Sequence, residues 1–332
     1  MQENYKKIFE IGVSKEARDL ALKYGYLPYM IERYINIFGS LHETIEFLES
    51  VEHGLRKSIR CNTLVASDCR VLEERLERRG IIVDRILQLP HGYWVIDGEE
   101  KIGHTSEYIY GYYYIQGPGS MTVSYVLDPP KNSVVADLAS APGGKTTHIA
   151  QLMNNTGAIL SVDKSPARAK ALKANIQRMR VENTVVLVED ILRLRDLNGA
   201  FEKVLLDAPC SGEGLLPFKA ERKRSMTMLE IKRAHELQVR LAKKAVELVR
   251  EGGILLYATC SIGVEENELV LRELLEDRED IEILPTRWRG QGEPGITEYM
   301  GVNLGSELKR CMRLYPHKHK TEGFFLCLVK RK

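Results

Sequence analysis

The 332 residues carry 48 Lys and Arg against 46 Asp and Glu, a formal net charge of +2, so no class of partner follows from overall charge. With 44% hydrophobic and 28% charged residues, the composition is that of a globular chain long enough for one large domain and a smaller one. No apolar run approaches the ~18 residues that cross a bilayer, and residues 1–7 lack the apolar core of a secretory signal, so a cytoplasmic location away from membranes is expected.

Residues 1 to about 50 read as short amphipathic helices, one started by Ser14, one opened by Pro28 and one over 41–48, with no evident chemistry. From about 55 the pattern predicts a strand over 58–62, a helix over 68–79 with Val71, Leu72 and Leu76 on one face, and strands over 81–83 and 93–96. This is a small α/β module. Its Arg60, Arg70, Arg78, Arg79, Tyr93 and Trp94 are candidates to touch RNA, a solvated face being the competing reading. Residues 108–116 are tyrosine-rich and β-prone, Gly117-Pro118-Gly119-Ser120 breaks the chain, and a short helix runs to Leu127. A domain boundary is placed near 115, giving units 1–115 and 116–332.

Strict alternation follows. Strands are predicted to end at Asp137, Asp163, Asp190 and Asp207, helices fall over 146–153 and 166–179, and a long helix with a core-facing stripe spans 228–250 before a strand at 254–258. A last buried strand covers 323–329. The order is that of a doubly wound parallel sheet, in which ligands sit beyond the carboxyl ends of the strands, where four acids are expected in register.

The most informative stretch is Ala139-Ser140-Ala141-Pro142-Gly143-Gly144-Lys145-Thr146, between the first of these strands and its helix. Glycines let the backbone approach a ligand, and a helix N-terminus offers free N–H groups. Nucleotide-like cofactor sites of this type use an acid at the end of the next strand to hold ribose hydroxyls, and Asp163 stands 19 residues past Gly144. The same stretch nearly spells a phosphate-binding loop with Asp207 as its Mg²⁺-linked acid, a nucleotide triphosphatase reading. Ala139 replaces the first glycine of that motif, Pro142 removes a needed N–H, and Asp163 is left without a role.

None of the six cysteines forms a C-x-x-C pair, so no zinc site is expected, and a reducing compartment argues against disulfides. Most should be buried small hydrophobes. Cys210 in Asp207-Ala208-Pro209-Cys210-Ser211-Gly212 and Cys260 in Ala258-Thr259-Cys260-Ser261 differ, because both follow strands and project into the crevice of the cofactor turn.

These motifs, with Tyr114 to Met121, Arg60-Cys61-Asn62-Thr63-Leu64, Val162-Asp163, Glu189-Asp190 and Glu322 to Phe325, closely resemble the Sun (Fmu-type, or NSUN) family of RNA cytosine-5 methyltransferases over roughly residues 55–332. One departure is Gly117-Pro118-Gly119, where the family usually has an acidic-Ala or Pro-Ala sequence. The resemblance implies a Rossmann-like S-adenosylmethionine domain with an RRM-like N-terminal module. It implies 5-methylcytosine formation through a cysteine adduct at carbon 6. From the residues alone either Cys210 or Cys260 is a possible nucleophile. By resemblance Cys260 attacks, Cys210 assists release, Asp207 holds the base edge and Lys145 lies near the base. Ala139 to Lys145 would border the cofactor, with Asp163 and Arg168 at its ribose, Asp190 at its adenine and Asp207 close by.

A base inside a duplex is out of reach, so the target is an unpaired or flipped-out cytosine. Basic clusters at 219–224, at Lys309, Arg310 and Arg313, and at Lys318 and Lys320 beside His317 and His319 are candidate phosphate contacts. The lack of an RNA-binding unit beyond 55–115 favours tRNA over ribosomal RNA, and a monomer is expected. The non-enzymatic alternative is an RNA-binding assembly factor that keeps the fold without turnover.

Overall fold

The computed structural model describes residues 5–332. The helices Lys15–Tyr24, Pro28–Phe38 and Leu41–His53 begin where the sequence provides stops and starts. Ser14 and Ser40 accept from backbone N–H groups of the first turn, Pro28 stands at a first helical position, and Gly25 and Gly39 close in the left-handed region. Their apolar faces form a cluster with Leu216, Met226, Ile231, Ile262 and Tyr315, so this segment packs on the C-terminal half.

Four strands, β1 (Ser58–Cys61), β2 (Ile82–Arg85), β3 (Gly92–Asp97) and β4 (Tyr113–Ile115), form an antiparallel sheet in the order β2-β3-β1-β4. The helix Cys69–Glu77, capped by Asp68, covers one face through Leu72 and Leu76. The tyrosine-rich stretch is only partly extended: Ser106–Ile109 is helical, and the strand starts at Tyr113. On the other face β1 and β4 lie against the C-terminal half, and Trp94 of β3 packs with Met121 and Tyr125 of Pro118–Leu127. Arg60, a sequence candidate for RNA contact, is therefore fully buried. Its Nη2 donates to Thr147 Oγ1 at 2.9 Å, and burial pushes its pKa down to about 9.

The C-terminal half is one large sheet. Its strands are β5 (Val134–Leu138), β6 (Ala158–Val162), β7 (Thr184–Leu187), β8 (Phe201–Asp207), β9 (Val249–Thr259), β10 (Ile281–Leu284), β11 (Glu293–Pro294), β14 (Met312–Leu314) and β15 (Phe324–Arg331); β12 (Glu298–Tyr299) and β13 (Val302–Asn303) form a separate ribbon. The order β9-β8-β5-β6-β7 is parallel throughout, and β15 and β14 extend it antiparallel beyond β9. From β5 the chain winds first to β6 and β7, then returns to β8 and β9 on the other side. The switch point of this α/β sheet therefore lies beyond the ends of β5 and β8, where such folds bind ligands. The helices Met228–Leu248 and Glu268–Asp277 cover one face, and Pro118–Leu127 and Gly144–Met153 the other. Among the described residues no helix is long and apolar enough to cross a membrane.

The expectation of unbridged cysteines is overturned. Cys61 pairs with Cys69 and Cys311 with Cys327, their Cα atoms 6.0 and 4.5 Å apart. Cys61 closes β1 and Cys69 opens the following helix, while Cys311 precedes the strand that pairs with the one holding Cys327. Proximity in the fold, invisible in the spacing, outweighs the compartment argument. Closing each loop restricts the unfolded chain and is worth about 2–4 kcal/mol. A strong phosphine reductant should lower the thermal midpoint by several degrees. An unmoved midpoint would mean that all six cysteines are thiols.

Candidate active site

β5 ends one residue before Ala139, whose φ of +60° starts the turn; Gly143, at φ +104°, ends it as the cap of Gly144–Met153. A side chain at Gly143 would be strained in this left-handed conformation and would also press on Leu172 Cδ1 at 2.9 Å, so the backbone conformation is what favours glycine. The turn is laced to the end of β6. Ser140 N and Oγ both donate to Val162 O (2.9 and 3.1 Å), and Ala141 N donates to Asp163 Oδ2 at 3.2 Å. Asp163 is buried, takes Ser165 N on its other oxygen at 2.9 Å, and lies 3.5 Å from the Arg168 guanidinium. Arg168 also donates to Ala141 O at 2.5 Å. Asp190 caps the short turn Ile191–Arg193, accepting Leu192 N at 3.0 Å.

Asp137 does not belong with these strand-end acids. It lies inside the molecule, accepts Thr146 Oγ1 at 2.5 Å, and burial raises its carboxyl to about 7. Three acids, not four, stand at the crevice.

At the end of β8 the Asp207 carboxylate meets Lys145 Nζ at 2.7 Å. Burial pulls the ammonium down, but Asp207 more than reverses this and leaves its pKa raised, with Cys260 adding in the same direction. The Lys145 ammonium stands 5.3 Å from the centre of the Phe324 ring. Cys210 and Cys260, 50 residues apart in sequence, meet with their sulfurs 3.2 Å apart, each half-buried. The hydrogen bond to Cys260, with burial, holds the Cys210 thiol well above its usual pKa, so it stays protonated at neutral pH.

Both cysteine loops are held from beneath by residues that sequence reasoning missed. Buried Glu266 accepts Ser211 N at 2.7 Å, Ser211 Oγ at 2.5 Å and Gln238 Nε2 at 3.1 Å, and Gly214 N donates to Cys260 O at 2.9 Å. Arg33 of Pro28–Phe38 is fully buried. Its Nη1 reaches Glu213 Oε1 at 2.5 Å, its Nε and Nη2 clasp Glu265 at 2.9 and 2.7 Å, and Tyr34 OH donates to Glu213 at 3.0 Å. Glu213 follows the Cys210 loop and Glu265 the Cys260 loop. The signal was a lone arginine on an otherwise apolar helix face, between Met30, Ile31 and Tyr34.

The glycines of Gly117-Pro118-Gly119 have a structural cause. Buried Glu322 accepts Gly119 N at 2.9 Å at the start of Pro118–Leu127, and a Cβ at Gly117 would collide with the same carboxylate.

The basic clusters are largely spent on the protein itself. Arg313 is buried against Glu268 at 2.5 Å, Lys223 pairs with Glu52, and Lys318 pairs with Glu43 at 2.7 Å. Arg222 donates to Ser211 O at 3.1 Å, Arg224 to Gly25 O at 3.3 Å and Arg310 to Ile283 O at 2.9 Å. Most of these acidic or carbonyl partners lie far away in sequence, so clustering of charge was misleading. In the small module Arg70, Arg78 and Arg79 pair with Asp68, Glu74 and Glu107, and Tyr93 is in the core.

Two family profiles match the chain: one described as 16S rRNA methyltransferase RsmB/F over residues 124–330, the other as the N-terminal domain of 16S rRNA methyltransferase RsmF over 27–118. The chain is 36% identical to the 28S rRNA (cytosine-C(5))-methyltransferase of Mus musculus, over 96% of this chain and 40% of that protein. It is 31% identical to the tRNA (cytosine(49)-C(5))-methyltransferase of Pyrococcus abyssi, over 91% of this chain and 95% of that protein. It spans about half the length of the eukaryotic rRNA relatives it matches. Among solved structures, a methyltransferase homolog protein from Pyrococcus horikoshii superposes with a TM-score of 0.84 at 36% identity, covering 96% of this chain and all of that one. NSun6 from the same organism, solved with the S-adenosylmethionine analogue SFG, superposes at 0.78 with 26% identity, covering 91% and 97%.

Proposed function

The chain belongs to the RsmB/F methyltransferase family, the Sun/Fmu/NSUN group, and from that membership we propose that it methylates carbon 5 of cytosine in RNA with S-adenosylmethionine as donor. The observation that carries the reading is the meeting of Cys210, Cys260, Lys145 and Asp207 at the sheet's switch point, beside the turn tied to Asp163.

The residues present fit the cofactor. The turn from Ala139 to Gly144 has only small side chains and Pro142, and Asp163 and Asp190 end neighbouring strands as acceptors for hydroxyl and amino groups. S-adenosylmethionine supplies an electrophilic methyl group there. Cytosine carbon 5 is too electron-poor to take it unaided, and the chain's own groups remedy this. Cys260, as thiolate, adds to carbon 6 and pushes the ring electrons toward carbon 5. Asp207, oriented by Lys145, accepts from the exocyclic amine, and a proton held between the carboxyl and N3 meets the negative charge that develops there. After transfer a water in the crevice takes the proton from carbon 5, and the carbon–hydrogen pair restores the ring double bond. The carbon 6–sulfur bond breaks to release the Cys260 thiolate, which the neighbouring Cys210 thiol assists by donating its hydrogen bond. Residues 116–332 carry this chemistry in our reading, and residues up to 115 contribute to holding the RNA.

Calorimetry with S-adenosylmethionine should give binding that Asp163→Ala weakens about ten- to a hundredfold, the range for losing hydrogen bonds to a charged group. Tight Mg²⁺-dependent ATP binding without response to S-adenosylmethionine would overturn the reading in favour of a phosphate-binding loop. The relatives' names include both tRNA and rRNA enzymes. Bisulfite sequencing of RNA from a strain lacking the gene distinguishes the two.

A further inference from the structure

A cleft of about 1240 Å³ opens between the small sheet and the segment 318–321. It exceeds the about 300–1,000 Å³ of small-molecule sites, as a polymer would require. Its floor includes Trp94, one side of which packs with Met121 and Tyr125 of Pro118–Leu127, and the more exposed Ile96. Ser58 and Arg60 of β1 point to the same side as Trp94 and Ile96 of β3, but the first two are buried against the C-terminal half. Trp94 is half-buried with its indole N–H unpaired among the described residues, and Ile96 and neighbouring Leu87 are 42% and 84% exposed. These are large apolar groups on an open surface, where natural chains place them for a partner.

The rim is charged. Arg56 and Lys320 line the cleft, are exposed, and have no carboxylate partner among the described residues, while Asp84, cross-strand from Trp94, adds one exposed carboxylate to the lining. Lys318, by contrast, is committed to Glu43. The chain segments that line the cleft also lead toward the reaction centre. Pro118 and Thr321 line it, and they adjoin Gly119 and Glu322, which are hydrogen-bonded to each other; Phe324, two residues further on, faces Lys145.

We propose that this cleft holds a single-stranded RNA segment flanking the target cytosine, with Trp94 as the platform on which a base stacks and Arg56 and Lys320 on its phosphates. A partly exposed aromatic ring in a cleft that also presents unpaired cations is the chemistry that holds unpaired nucleotides. The proposal rests on the RNA methyltransferase reading and assigns where the strand beside the reacting base runs.

The test uses the full chain and a labelled, mixed-sequence, single-stranded RNA 12-mer, with binding followed by anisotropy and methyl transfer assayed separately. Trp94→Ala should weaken RNA binding about tenfold or more, and Trp94→Phe, which keeps a ring, much less. Arg56→Glu with Lys320→Glu should lower the slope of log affinity against log salt by about one to two. All variants should keep the wild-type affinity for S-adenosylmethionine. RNA should quench the fluorescence of Trp288→Phe, which retains Trp94, and leave that of Trp94→Phe nearly unchanged. RNA affinity and salt slope unchanged in every variant, in a protein that still methylates RNA, would overturn the cleft assignment alone. RNA binding sensitive to these variants without any methyl transfer would sustain the cleft and sink the enzymatic reading.

Discussion

Cys260→Ala should abolish both methylation and any covalent protein–RNA complex, whereas Cys210→Ala should accumulate a cofactor-dependent complex visible on denaturing gels. The structure brings the two sulfurs to one point, 3.2 Å apart, and the family resemblance assigns their roles. A thiolate, not a thiol, adds to a ring carbon. In our proposal Cys260 attacks and the adjacent Cys210 serves the later steps. Losing Cys210 leaves attack and methyl transfer intact and stalls elimination. The double variant should form no complex. A band that accumulates instead in Cys260→Ala would exchange the roles, and retained activity without any adduct would rule out covalent catalysis.

Arg33→Met should cost about 3–5 kcal/mol of stability and most of the activity, although residue 33 lies in a helix with no chemical motif. Removing the guanidinium leaves Glu213 and Glu265 buried without a counter-charge, and breaking such a cluster costs far more than its net worth. The two carboxylates end the loops that carry Cys210 and Cys260, so their repulsion acts directly on the sulfur pair. Arg33→Lys cannot engage both acids with a planar fork and should recover only part of the loss. Urea titration with a parallel methylation assay reads both effects. Combining Arg33→Met with Glu213→Gln and Glu265→Gln should restore stability ahead of activity. A loss below about 1 kcal/mol in the single variant would mean that water reaches and solvates the two acids.

What was legible in the sequence was local. The run of apolar residues into Asp137, the small-residue turn and the helix after it obey short-range rules, and the structure places strand, turn and helix at Val134–Leu138, 139–143 and Gly144–Met153. The same rules brought Asp163, Asp207, Cys210 and Cys260 to one end of the sheet. What was not legible depends on partners far along the chain. Arg33 finds its acids 180 and 232 positions away, which no periodicity encodes. Arg313 looked like part of a phosphate-binding cluster until Glu268, 45 positions away, neutralised it. The strands β10, β11 and β14 are too short to leave an alternating pattern, and the ring stack of Tyr125 on Trp288 that fixes the nearby loop joins residues 163 positions apart.

Gly117 and Glu322 occupy what is, in volume, a single position. The carboxylate that closes the first turn of Pro118–Leu127 fills the space where any side chain at 117 would begin. A side chain introduced at 117 must therefore push the Glu322 carboxylate aside, and Gly119 N, more than two hundred residues away along the chain, then loses its acceptor.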